Sequence, residues 1–153
     1  MKRHWQLILI IAVTLVVHFA FFGQPNQTVF DEVHFGKFIN GYFSHEYFFD
    51  IHPPLAKLIL SGMGYITNFQ PTFSFANIGE AFPDHAYLWL RLLPTLAGLL
   101  LPIIIWFLAR ELGLSKTASL VAALFIALDN ALLVQSRFIL LDAFLLLFGF
   151  SAL

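Results

Sequence analysis

Two adjacent carboxylates, Asp31 and Glu32, stand in the stretch FDEVHFGKF. A positioned carboxylate takes a proton from an attacking hydroxyl, and two acids side by side can also hold a cation. Downstream, Asp50 and His52 fall in DIHPP, Arg91 in RLLP, Arg137 in QSR and Asp142 in LLD. Guanidinium groups pair with phosphate or carboxylate, so Arg91 and Arg137 are candidates to bind an anionic substrate, with His52 and Asp142 beside them. The DIH triplet supplies two metal-ligand types, but no third ligand is defined and four-coordinate sites need more. Each residue also has a plainer reading. Asp31 and Glu32 suit an N-cap and first-turn acid, Arg91 a snorkelling side chain, His52 a locally bonded turn residue, and Arg137 with Asp142 a structural ion pair.

The elements that must position these groups follow from composition. Hydrophobic residues make up 59% of the 153 and charged ones 11%, with a mean hydropathy of +0.83, where a soluble domain carries about a quarter charged residues. This is a membrane composition, and the expected fold class is all-α, a polytopic integral membrane protein. The net charge of -1 gives no sign of a nucleic-acid partner. Without cysteine there is no disulfide framework and no thiolate nucleophile.

About 20 apolar residues cross a bilayer as a helix. The spacing predicts one transmembrane domain over 1–153, with spans at about 7–22, 86–109 and 118–135 and a fourth, truncated span at 138–153. The apolar C-terminal run, FLLLFGFSAL, reads as the start of more chain, which makes this an N-terminal piece. Lys2 and Arg3 hold the N-terminus in the cytoplasm by the positive-inside rule, which puts the segment 23–85 outside.

That outer segment is more than a loop. Phe35, Phe38, Ile39, Tyr42 and Phe43 recur at the spacing of one helix face, and a second helix is expected from PPLAKLILSGMGYI, with proline at its start. Both suit helices lying in the membrane interface. Helical phase puts Asp31 and Glu32 on the flanks of the aromatic face, away from the Lys37 and Asn40 side. Topology then gathers Asp31, Glu32, Asp50, His52, Arg91, Arg137 and Asp142 at one membrane face. A charge at a helix centre costs about 2.5–3.5 kcal/mol on insertion scales, so Arg91 and Asp142 are expected to be paired or to line a wet cavity.

Acids and arginines at one interface suit a substrate that is itself half lipid. A polyprenyl phosphate sugar fits: its tail lies between helices, its phosphate meets guanidinium, and its sugar sits by the carboxylates. One carboxylate then deprotonates an acceptor hydroxyl attacking the anomeric carbon, while the phosphate leaves already ionised. The result is a single inverting displacement. A transporter is expected to place its charges near the midplane instead, and a noncatalytic assembly subunit would not depend on Asp31.

FDEVHFGKF, FFDIHPPLAK, RLLPTLAG, ARELGLS and LDNALLVQSRFILLDAF, in this order, resemble the N-terminal part of the protein O-mannosyltransferases of the GT-C class of membrane glycosyltransferases. Ala56 stands for the commoner glycine and Ala143 for the commoner serine of those motifs, both small-for-small changes. The resemblance implies inverting transfer of mannose from a polyprenyl (dolichyl) phosphate mannose donor to Ser or Thr hydroxyls of proteins at the extracytoplasmic or lumenal face, the alternative being another polyprenyl phosphate sugar transferase of the GT-C class that acts on lipid or glycan. It makes Asp31 the catalytic base and Glu32 its acidic partner. Arg91 and Arg137 take donor-phosphate or site-organising roles, and His52 and Asp142 are further substrate-site positions. It points to a site that works without a metal ion, the alternative being a divalent cation held by the acids. The implied partners are the donor, a protein acceptor, the bilayer and a family member in a dimer. The implied location is the endoplasmic reticulum membrane of a eukaryote or the plasma membrane of a prokaryote.

Overall fold

The computed structural model describes residues 4–153; the orienting charges Lys2 and Arg3 lie outside the described residues. The described chain is all-α. Its helices are α1 (Trp5–Phe19), α2 (Glu32–Ser44), α3 (Pro54–Ile66), α4 (Tyr87–Glu111), α5 (Lys116–Leu128), α6 (Asn130–Ser136) and α7 (Asp142–Ser151). Among the described residues the single β feature is an isolated antiparallel bridge between Gln27 and Ala81. Helix α4 is the central post, packed by α1, α3, α5, α6 and α7, while α2 packs on α3.

The burial pattern is inside-out for a water-soluble protein. Along α1 the buried stripe is Gln6, Ile10, Thr14 and His18, whereas Ile8, Leu9, Ile11, Leu15 and Val16 are exposed. The Thr14 hydroxyl donates to the Ile10 carbonyl at 2.9 Å and His18 Nδ1 bonds to the Thr14 carbonyl at 3.0 Å, so the polar stripe is satisfied inside the bundle. Likewise α5 buries Ser119, Leu120, Ala123 and Ala127 and exposes Val121, Phe125 and Leu128. Small and polar residues inside with apolar ones outside is the pattern expected where lipid is the solvent. By length and composition α4 is the one described helix long and apolar enough to cross a membrane alone, and the pair α5 and α6 meets the same measure together.

Three element boundaries differ from the hydropathy reading. Helix α1 stops at Phe19, and the chain turns through Phe21 and Gly23, both at positive φ. The segment 118–135 is two helices, α5 and α6, bent by 58° at Asp129. Asp129 is extended there, and its carboxylate accepts from the Leu132 N–H at 2.9 Å; a satisfied N-cap starts a new helix inside an apolar run. In place of the fourth span from 138, helix α7 begins at Asp142; residues 138–141 before it lie outside any helix, and there the Ile139 N–H donates to Glu32 Oε1 at 2.9 Å.

The outer segment has a core of its own. Phe73, Phe75, Phe82 and Tyr87 pack ring on ring, with Phe82 and Tyr87 stacked at 4.2 Å. Phe35 and Ile39 of α2 and Leu60 of α3 join the same cluster. The Thr28 N–H donates to the Glu80 carbonyl at 2.8 Å, which ties the start of this segment to its end.

Candidate functional site

Asp31 and Glu32 part company. Asp31 occupies the N-cap position of α2, but its carboxylate makes no capping hydrogen bond and is exposed. The capping reading therefore does not describe its side chain. Only its backbone serves the helix, the carbonyl accepting from the N–H groups of His34 and Phe35 at 2.9 and 3.0 Å. Glu32, one residue on, is fully buried and reaches back to the Val29 N–H at 2.8 Å.

Glu32 meets Arg91, which is equally buried. Arg91 Nε donates to Glu32 Oε1 at 2.8 Å and Nη2 to Oε2 at 2.7 Å, the bidentate geometry in which such pairs are strongest. The remaining guanidinium donors go to the carbonyls of Gly23, Pro25 and Gln27 at 2.8–3.0 Å. A guanidinium has five N–H donors and a carboxylate about four acceptor sites. With Val29 N–H and Ile139 N–H also on the carboxylate, both inventories are used up. The rings of Tyr87, Phe138 and Phe82 lie 4.8, 4.9 and 5.3 Å from the guanidinium carbon. Arg91 thus has no free donor for a phosphate and Glu32 no lone pair for a cation; the pair joins residues 23–29, α4 and the stretch before α7 around a dry centre.

Arg137 is different. It is half-buried at the end of α6, and one guanidinium nitrogen donates to the Ala20 carbonyl. Its remaining donors have no partner among the described residues, and it does not pair with Asp142, which is exposed at the start of α7.

His52 and Asp142 are brought together. Both line an apolar groove of about 270 Å³ between the start of α3 and α7, walled by Leu55, Leu141, Phe144, Leu145 and Phe148. The groove connects to the first carboxylate pair through named contacts. His52 packs edge-on against Phe35 of α2 with ring centres 5.4 Å apart, and Glu32 holds the backbone of Ile139, three residues before Asp142.

Behind His52 lies a group that inspection of the acids and arginines passes over. Lys57 is buried, and its ammonium donates to Asp50 Oδ2 and to the His52 carbonyl, the latter at 3.0 Å. Asp50 Oδ1 accepts from His52 Nδ1 at 2.9 Å. Burial alone would raise the Asp50 carboxyl, but the hydrogen bonds from Lys57 and His52 outweigh it and hold it down at about 2, so Asp50 is a carboxylate at neutral pH. The signal was in the helix phase: Lys57 shares the inward stripe of α3 with Leu60, Ser61 and Gly64, where an unpaired lysine is untenable. Among the described residues no three His, Asp or Glu side chains gather as a metal site.

Comparison with known proteins bears on this arrangement. Mannosyltransferase 4 of Candida albicans, a dolichyl-phosphate-mannose--protein mannosyltransferase, is 38% identical over 143 residues, which is 92% of this chain and 19% of that protein. Protein O-mannosyltransferase 1 of Drosophila melanogaster is 40% identical over 126 residues, 82% of this chain and 14% of that one. The solved Saccharomyces cerevisiae protein O-mannosyltransferase Pmt1-Pmt2 complex bound to the sugar donor contains a chain that superposes with a TM-score of 0.94 at 35% identity, covering 99% of this chain and 21% of its own length. The chain therefore spans about a fifth or less of the relatives it matches. Its helices are arranged as in that membrane glycosyltransferase, and with the lipid-facing pattern of α1 and α5 this makes it an integral membrane chain. The family model described as dolichyl-phosphate-mannose-protein mannosyltransferase matches residues 8–153, almost the whole sequence, and the chain belongs to that family.

Proposed function

We propose that the full-length protein transfers mannose from a polyprenyl (dolichyl) phosphate mannose donor to Ser or Thr hydroxyls of proteins, with inversion, at the extracytoplasmic or lumenal face of its membrane. Asp31 is the base. The observation that carries this is the division of labour at 31 and 32: one carboxylate is locked in a closed network, and its neighbour is left exposed and uncapped on the backbone that the network fixes. A base must be ionised, accessible and rigidly placed, and Asp31 has a fixed backbone and a free carboxylate.

The apolar groove supports a lipid-linked donor. Its walls suit an isoprenoid tail, and His52 and Asp142 give it a polar edge. Arg137, with uncommitted donors, is the guanidinium available to the donor phosphate, whereas Arg91 organises the site. In the reaction the acceptor oxygen attacks the anomeric carbon as Asp31 accepts its proton, the bond from that carbon to the phosphate oxygen breaks, and the phosphate leaves with the electron pair. A cation beside it stabilises the leaving charge. The location proposed is the endoplasmic reticulum membrane in a eukaryote or the plasma membrane in a prokaryote, and the assembly proposed is a dimer with a family member.

Membranes carrying the full-length protein, supplied with labelled polyprenyl phosphate mannose and a Ser/Thr peptide, test this. Asp31→Asn is expected to lower the transfer rate by about 10²–10⁴, the usual contribution of a general base, with donor KM little changed. Undiminished transfer by Asp31→Asn removes the assignment.

A further inference from the structure

Between α2 and α3 the chain runs extended, and its side chains alternate. Tyr47, Phe49 and Ile51 are 92%, 79% and 83% exposed, whereas Phe48 stacks on Phe38 at 4.8 Å and the Asp50 side chain is 8% exposed. Alternation of this kind turns every second residue inward and delivers Asp50 to Lys57. The lysine has three donors: one goes to Asp50 and one to the His52 carbonyl. The ammonium also lies 5.3 and 5.8 Å from the ring centres of Phe38 and Phe48, a desolvated setting in which a cation is held firmly. Asp50 is therefore fixed from behind, with Oδ1 turned toward His52.

We infer that Asp50 and Lys57 are positioning residues that hold His52 in one tautomer and one orientation, with Nε2 presented to the apolar groove. The inference rests on the transfer reaction proposed above, in which His52 meets the donor. A carboxylate only accepts, so the nitrogen 2.9 Å from it carries the proton. Nδ1 is thereby committed and Nε2 is left as the atom without a protein partner among the described residues. The ring cannot turn over without breaking this bond and its edge contact with Phe35. The His52 side chain is 47% exposed, so Nε2 reaches a ligand while Nδ1 stays anchored. A carboxylate behind a ligand-contacting histidine fixes tautomer and ring direction, as it does in metal sites and hydrolase triads. Lys57 adds a second function: it neutralises Asp50, so the negative charge is not presented to an anionic donor.

The tautomer is read directly from the imidazole ¹⁵N shifts of the full-length protein in detergent at alkaline pH, assigned by loss of the signal in His52→Gln. The wild type is expected to show Nδ1–H and a bare Nε2. Asp50→Asn, whose amide can donate as well as accept, is expected to release the tautomer and to raise the donor KM about tenfold, the lower end of the effect of losing an orienting partner, with kcat changed less. Lys57→Arg keeps the charge and is expected to keep the tautomer. A wild-type His52 protonated at Nε2 overturns the inference, as does an Asp50→Asn protein whose tautomer has shifted while the donor KM stands still. The tautomer is read without any mannosyl transfer. A protein that shows Nδ1–H but transfers no mannose therefore refutes the proposed reaction and leaves the positioning of His52 intact.

Discussion

At the scale of single residues, Asp31 and Glu32 show how little chemical type says about role. Both are acids at the head of α2, yet one is exposed and the other accepts four N–H hydrogen bonds, from Arg91, Val29 and Ile139. Removing one partner of a buried ion pair strands the other charge and costs about 3–5 kcal/mol, whereas replacing both with apolar or neutral groups of similar size costs far less. Glu32→Gln and Arg91→Met are each expected to lower the Tm of the purified protein sharply, by tryptophan fluorescence in detergent. Glu32→Gln combined with Arg91→Met is expected to be milder than the sum of its single changes. Strict additivity would mean that the two do not act as a unit. From sequence the two acids were separable only as flanks of an aromatic face, because what distinguishes them is a partner 59 positions away.

At the scale of elements, α2 and α3 were legible because the apolar spacing and the Pro53-Pro54 start are local signals. The break between α5 and α6 was legible only in part: Asp129-Asn130 reads as a helix-end pair by its cap chemistry, but a hydropathy window averages over it and keeps 118–135 as one span. The late start of α7 was not legible; it leaves residues 138–141 outside any helix with the Ile139 N–H on Glu32, a partner 107 positions away. Close packing of α4 on α6 depends on Gly98: a Cβ there would lie 2.3 Å from Ser136 Cβ and 2.9 Å from His18 Nε2. Thr95, one turn earlier, donates to the Arg91 and Ser136 carbonyls at 2.8 and 3.2 Å, so the two helices have no slack at this level. Gly98→Ala is expected to destabilise the protein by about 1–3 kcal/mol, the scale of overpacking. Gly62→Ala in α3, where a Cβ meets nothing within 4 Å, is expected to be neutral or mildly stabilising. A Gly98→Ala protein as stable as wild type would mean that α6 can move away from α4 freely.

At the scale of the whole molecule, the solvent of the outer surface decides what a substitution costs. Ala12 lies mid-way along α1 on its exposed side. On a water-facing helix Ala→Arg is nearly neutral, since both are good helix formers; in a bilayer it costs about 2.5–3.5 kcal/mol. Ala12→Arg is accordingly expected to impair membrane integration, read as carbonate-extractable protein, while an equally exposed site outside the bilayer such as Glu46→Arg leaves integration unchanged. Full integration of Ala12→Arg would turn this face away from lipid. The Arg91 network has a further consequence, for the order of synthesis. It is closed only by carbonyls at 23, 25 and 27, a carboxylate at 32, a guanidinium at 91 and amides at 29 and 139. While the chain is being made, Glu32 and Arg91 must each remain hydrated or borrow other partners until residue 139 has emerged and α4 is seated. The first loop is thus among the earliest parts translated and among the last to set, and Asp31 acquires its fixed backbone only once the five helices α2 to α6 have been made.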